Sequence, residues 1–216
     1  DCSAINENIM MEMNKSVEIQ HQKETVRIET FSDGVFCIAI TLLSIEIGVE
    51  VKEHTTNASL TEALIHKWPI CLAYVISFVN VLLAWIGHHG LFKNLRDTNN
   101  AVMISNGVLL MLVALVPFPT KTLGTFLLSD ALQTAVIFYT GYFVLMSVAF
   151  KLLWYTASRN KSLLVHGTTD KQIKQITKTE NIGLLCNSII MIVAFINPWA
   201  ALILSFIMWI YWIFIA

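Results

Sequence analysis

Apolar positions gather into six long runs separated by short polar connections. The runs cover residues 30–49, 65–92, 101–120, 131–155, 180–197 and 199–216, and a helix needs about 20 mostly apolar residues to cross a bilayer core. The second and fourth are long enough to tilt or to project into water. The connections are 50–62, 93–100 (KNLRDTNN), 121–130 and the longest, 156–179. Asn197-Pro198 predicts a tight turn between the last two runs, because proline cannot continue the preceding helical ladder. The pattern predicts an all-α, polytopic membrane protein with six transmembrane helices. It divides the chain into a polar N-terminal segment, 1–25, and a transmembrane domain, 26–216, with no soluble domain and no internal repeat.

Composition agrees with the pattern. The 216 residues are 56% hydrophobic and only 13% charged, against roughly a quarter charged in soluble domains. A soluble core could not hide that much apolar surface; a bilayer can. The formal net charge of −1 says nothing about nucleic acid or acidic partners. Cys2, Cys37, Cys71 and Cys186 are scattered, three of them inside apolar runs, so small packing residues are expected rather than disulfides or a metal site. The first 24 residues are polar and lack the apolar stretch of a signal peptide.

Orientation follows the basic residues. With the N-terminus in the cytoplasm, eleven of the fourteen Lys and Arg fall on inner segments and three, Lys52, Lys67 and Lys121, on outer ones. Both termini are therefore expected inside and the connection 50–62 outside. The sequon Asn57-Ala58-Ser59 matters only in a eukaryotic host.

The first run raises the sharpest question, because VRIETFSDGVFCIAITLLSIEIGVE carries Asp33 and Glu46 in otherwise apolar sequence. Translocon scales place an aspartate at mid-membrane at about +2.5 to +3.5 kcal/mol, so such residues face protein or water. At about 100° per residue, Ile38, Thr41, Leu42 and Ile45 fall within roughly one 100° sector, and Asp33 and Ser44 fall together on another side. A helix that lines a narrow path and is braced from behind needs both faces. Arg27 and Asp33 are rotated by about 120° and are not i,i+4 partners, so other helices must answer them. Trp85 and His89, at i,i+4 on the second run with His88 beside them, and Asn106 on the third, lie at the same depth. His88 is equally consistent with a residue at the membrane interface.

These residues carry a resemblance. Arg27-Ile-Glu-Thr-Phe31-Ser32-Asp33 has the form RxxxFSD, followed by Gly-Val-Phe and an I-x-I-T-L-L run. It resembles the signature of the transmembrane protein 175 family, potassium channels of animal endolysosomes and of bacteria. Trp85-Ile-Gly-His-His89 resembles that family's W-x-x-x-H pattern, and Asn106 with Pro117-Phe118-Pro-Thr120 resembles its N…PFPT pattern. The match runs from about residue 27 to 125, and beyond that through helix count alone.

The resemblance implies a channel without a TVGYG filter, and no such filter occurs here. It implies that the first helix lines the pore, with Ile38 as the tightest ring, Thr41 as a hydroxyl layer for selectivity, and further apolar rings at Ile45 and Leu42. It implies a bracing network of Arg27, Phe31, Ser32, Asp33, Trp85, His89 and Asn106. Animal members resemble two six-helix units fused. This chain is one unit, so a homotetramer in lipid is expected to surround one pore, in a bacterial inner membrane or, alternatively, an endolysosomal one. The expected activity is a modestly potassium-selective cation channel, with K+ and possibly other monovalent cations or protons as permeant ions. No cofactor, metal, enzymatic activity or nucleic-acid partner is expected. Glu46, one residue past Ile45, is expected either to attract cations at the outer mouth or to be a lone interfacial carboxylate.

Two other classes fit less well. A proton- or sodium-coupled transporter using Asp33 and Glu46 would be expected to show inverted repeats or paired broken helices. An intramembrane metalloenzyme using His88, His89 and Asp33 lacks a chelating spacing, since adjacent histidines on a helix point about 100° apart.

Overall fold

The computed structural model describes the backbone of residues 2–45, 47–48 and 56–215, and the side chains of 24–45, 47–48 and 56–214. The described elements are α1 (Cys2–Ile45), α2 (Asn57–His66), α3 (Trp68–Phe92), α4 (Asn100–Leu115), α5 (Pro117–Phe126), α6 (Leu132–Ser158), a 3-10 turn (Lys161–Leu163), α7 (Asp170–Ala194) and α8 (Pro198–Ile215). Five stretches are long and apolar enough to cross a membrane: Glu24–Ile45, Trp68–Phe92, Asn100–Phe126, Leu132–Ser158 and Asp170–Ala194. The sixth expected run falls on α8, whose apolar part, Pro198–Phe214, is shorter.

Local chemistry sets the boundaries. Thr56 caps α2 and Thr169 caps α7, each in a capping box, with Ser59 and Gln172 as the reciprocal partners, so that orphan N–H groups at the helix starts are satisfied. Asn99 caps α4 by accepting from the Val102 N–H at 2.9 Å. Pro117 offers no N–H to the ladder, and the preceding Val116 N–H turns back to Val113 O at 3.2 Å. The third span is therefore two helices joined by one tightened turn. Between α6 and α7, Gly167 takes a φ of 86°, a conformation in which a Cβ would be strained. The sequence pattern missed α2, a ten-residue helix with no buried residue; the sequon lies in its first turn.

Packing centres on α6, which touches α4, α5, α7 and α8, while α1 packs on α3, α4 and α5. Phe36 and Leu43 of α1, Phe92 of α3, Leu109 of α4 and Tyr139 and Leu153 of α6 are fully buried. Helices in lipid gain little from apolar burial alone, because lipid tails are equally apolar; close packing and interhelical hydrogen bonds hold them together. One such set links four helices. Thr120 Oγ1 donates to Ser77 Oγ at 2.6 Å, Ser77 and the Tyr139 hydroxyl are 3.0 Å apart, Asn80 Nδ2 donates to Tyr139 at 3.2 Å, and Trp209 Nε1 donates to Asn80 Oδ1 at 3.0 Å. The tryptophans of the last three spans divide. Trp154 and Trp209 turn inward as donors, Trp154 to Thr177 at 2.9 Å, while Trp199 is exposed.

At one end of the bundle the loops 93–99 and 159–169 are tied together. Leu95 bridges Leu164, and Arg96 donates to Ser162 O at 3.0 Å and contacts the His166 ring. Towards the opposite end, α5 meets α3 at Gly124, where an added Cβ would sit 3.0 Å from Ile70 Cα. Gly124→Ala is therefore expected to force the two helices apart, destabilising the fold by about 1–3 kcal/mol and lowering the thermal midpoint in detergent. An unchanged midpoint would show that α3 and α5 separate freely.

Candidate functional site

Within the bundle α1 has two unlike faces. Ser32, Phe36, Ala39 and Leu43 are buried, a spacing that places them in one sector of a helix at about 100° per residue. Ile38 (59% exposed), Leu42 and Ile45 (71% exposed) face away from the bundle, and Thr41 is exposed with them. The four residues that periodicity gathers into one sector thus form one unpacked strip.

What fixes the rotation of α1 is a pair of matching steps. Glu29 and Asp33 lie one turn apart on α1; Trp85 and His89 lie one turn apart on α3. Trp85 Nε1 donates to Asp33 Oδ1 at 2.8 Å, and His89 Nδ1 meets Glu29 Oε1 at 2.7 Å. The Trp85 and His89 rings stack, 6.1 Å apart with 12° between their planes. Two carboxylates on a mostly apolar span are thereby answered by donors from a neighbouring helix, as their desolvation demands.

A second tie reaches α4. Asn106 Nδ2 donates to Ser32 Oγ at 3.0 Å, and Ser32 Oγ donates to Ile28 O at 2.8 Å. With the amide so oriented, Asn106 Oδ1 accepts from His88 Nε2 at 2.9 Å. The donors form a single directed chain that puts the His88 proton on Nε2. Nδ1 is then a lone pair, and it is the only buried side-chain polar atom without a partner among the described residues. The His88 ring is fully buried, 5.3 Å from Phe36 and stacked on Phe92 at 4.4 Å.

The bracing set expected from the sequence therefore divides. Ser32, Asp33, Trp85, His89 and Asn106 are brought together, although in two separate ties. Arg27 and Phe31 are not part of either. Both are exposed, Phe31 at 66%, and by helical phase both lie in line with Ile38. Among the described residues Arg27 makes no hydrogen bond or ion pair. Glu46 lies outside the described residues. Glu29, inside the motif, is a participant that the sequence reading missed, and of the two positions open to His88 the structure takes the buried one; the repeat of i,i+4 polar pairs on two adjacent spans was the available signal.

Hydroxyls on the strip have a defined polarity. Thr41 Oγ1 donates to Ile38 O at 2.8 Å and Ser44 Oγ donates to Thr41 O at 2.7 Å. With its proton committed to the backbone, the Thr41 oxygen offers lone pairs outward. No group of three His, Cys, Asp or Glu side chains converges as a metal site among the described residues.

Known proteins resemble this chain in sequence and fold. A sequence model of the family described as endosomal/lysosomal potassium channel TMEM175 matches residues 27–117. A potassium channel of Chamaesiphon minutus is 37% identical over 195 residues, covering 90% of this chain and 96% of that protein. The chain belongs to the TMEM175 family. The crystal structure of a lysosomal potassium-selective channel TMEM175 homolog from Chamaesiphon minutus matches this TMEM175 chain with a TM-score of 0.79 at 35% identity, covering 89% of this chain and 98% of that one. The human endosomal/lysosomal proton channel TMEM175 is 32% identical over 151 residues, which are 66% of this chain and 30% of the human protein. TMEM175 membership and the apolar spans make the chain an integral membrane protein, in a family of ion channels rather than of enzymes.

Proposed function

We propose that four copies of the chain form a cation channel that favours potassium modestly, with the exposed strip of α1 lining a central pore. The observation that carries this reading is the exposure of Ile38, Thr41, Leu42 and Ile45 on a helix whose opposite face is packed and tied through Asp33 and Ser32. A strip presented only to lipid would need no such fixed rotation. Support for a single-unit tetramer comes from size: the chain spans nearly the whole bacterial relative and under a third of the human one. Six crossings with both ends in the cytoplasm fit the basic residues, since the tied loops 93–99 and 159–169 carry Lys93, Arg96, Arg159 and Lys161, and α8 completes the count.

Stacked rings follow from four-fold repetition. Ile38 is the narrowest, and an aliphatic ring closes a pore by excluding water, so it must widen to conduct. The Thr41 oxygens, lone pairs outward, replace part of an ion's hydration shell. Potassium gives up its shell more readily than sodium, which yields a preference weaker than that of a carbonyl cage. Leu42 and Ile45 continue the apolar lining, and Glu46 would supply four carboxylates that concentrate cations at the outer mouth.

Planar-bilayer recording of purified protein under a potassium gradient tests this. Resolved current steps that reverse towards the potassium equilibrium potential are expected. Saturable flux without steps would overturn the channel in favour of a coupled transporter.

A further inference from the structure

The remaining large surface feature lies on α7. An open groove of about 330 Å³ is lined by Lys174, Thr177, Lys178, Asn181, Ile182 and Leu185. Below it on the same face, exposed Ile189, Ile192 and Ile196 continue the apolar surface, since these positions fall within about 80° of Lys174. α7 is packed from other sides by α6 and α8, helices different from those that hold α1.

We propose that this groove binds an anionic phospholipid, with the phosphodiester between Lys174 and Lys178 and an acyl chain along Ile182, Leu185 and Ile189. The depth fits: the 16 residues from Lys178 to the end of α7 at Ala194 rise about 24 Å, most of the roughly 30 Å of a hydrocarbon core. The lysines therefore sit at headgroup level while the isoleucines face the tails. Side chains at i,i+4 stand about 5–6 Å apart at Cβ, so two ammonium groups can share one phosphate, and Asn181 adds an amide at the groove floor. The chemistry selects negative charge. A zwitterionic headgroup would bring its own cation and need a free carboxylate, whereas Asp170, one turn before Lys174, is paired with Lys161 at 2.6 Å, and Glu180 lies about 160° around the helix from Lys178. The proposal rests on the membrane placement of α7 and is independent of conduction.

The test uses the full chain in detergent with added phosphatidylglycerol or phosphatidylcholine, read by thermal midpoint and by lipid retained in native mass spectrometry. Phosphatidylglycerol is expected to raise the midpoint more than phosphatidylcholine and to remain bound. The double variant Lys174→Gln/Lys178→Gln should lose at least half of that difference, while Lys93→Gln, in the loop after α3, should keep it. An equal shift in the double variant would overturn the site. An equal shift from inorganic phosphate would overturn the assignment to lipid. Because neither readout involves current, a silent bilayer would sink the channel and leave this site standing, and the converse also holds.

Discussion

Ile38→Ser is expected to increase leak current by about tenfold or more and to flatten the discrimination between potassium and sodium. A closed aliphatic ring blocks ions because a dehydrated ion finds no oxygen to replace its shell and water does not wet the constriction. Four serines would both widen the ring and supply hydroxyls. A fall of only 1.4 kcal/mol in the barrier raises passage by about tenfold, and in the proposed tetramer four side chains would change together. Serine at this mostly exposed position removes little packing within the subunit, so folding should be little affected. Single-channel recording decides the matter: unchanged conductance, closed-state leak and reversal potential would remove Ile38 from the constriction.

The strip around Ile38 was legible in the sequence because helical periodicity alone groups Ile38, Thr41, Leu42 and Ile45. That grouping needs no knowledge of any other helix. Partner choice is different, for it depends on how α3 and α4 are rotated about their own axes. Polar residues in apolar spans announced that Asp33 must be answered from among Trp85, His88, His89 and Asn106, but not which of them meets which carboxylate or hydroxyl. Arg27, which the family resemblance put in the brace, is set by its helical phase on the strip with Ile38. His88 illustrates the same limit. As one of two adjacent histidines near a span's end it resembled an interface residue, yet its ring is sealed between Phe36 and Phe92. Only the turn of α3 towards α1 decides which histidine meets Glu29 and which meets Asn106. The boundary inside the third span was foreshadowed by Pro117, and α2 escaped notice because its apolar residues bury nothing.

Bracing and the proposed pore lining would be linked through the rotation of α1, and Asn106→Leu separates them. Leucine matches asparagine in side-chain heavy atoms and branching, though it is bulkier, so the space between α1, α3 and α4 stays filled while the hydrogen bonds vanish. Two buried groups lose their partner at once: His88 Nε2–H its acceptor, and Ser32 Oγ a donor. An orphaned buried polar group costs about 1–3 kcal/mol, and His88 has no second partner to fall back on, since its Nδ1 is already unpaired. A large drop in thermal midpoint and loss of a single symmetric peak in size-exclusion chromatography are expected. The residual Asp33–Trp85 and Glu29–His89 ties should hold α1 to α3 but not fix its tilt against α4. If the variant instead remained as stable as the parent and well assembled, but with altered permeability ratios, Asn106 would belong to the conduction chemistry, and the separation of a braced face from a lining face on α1 would fail.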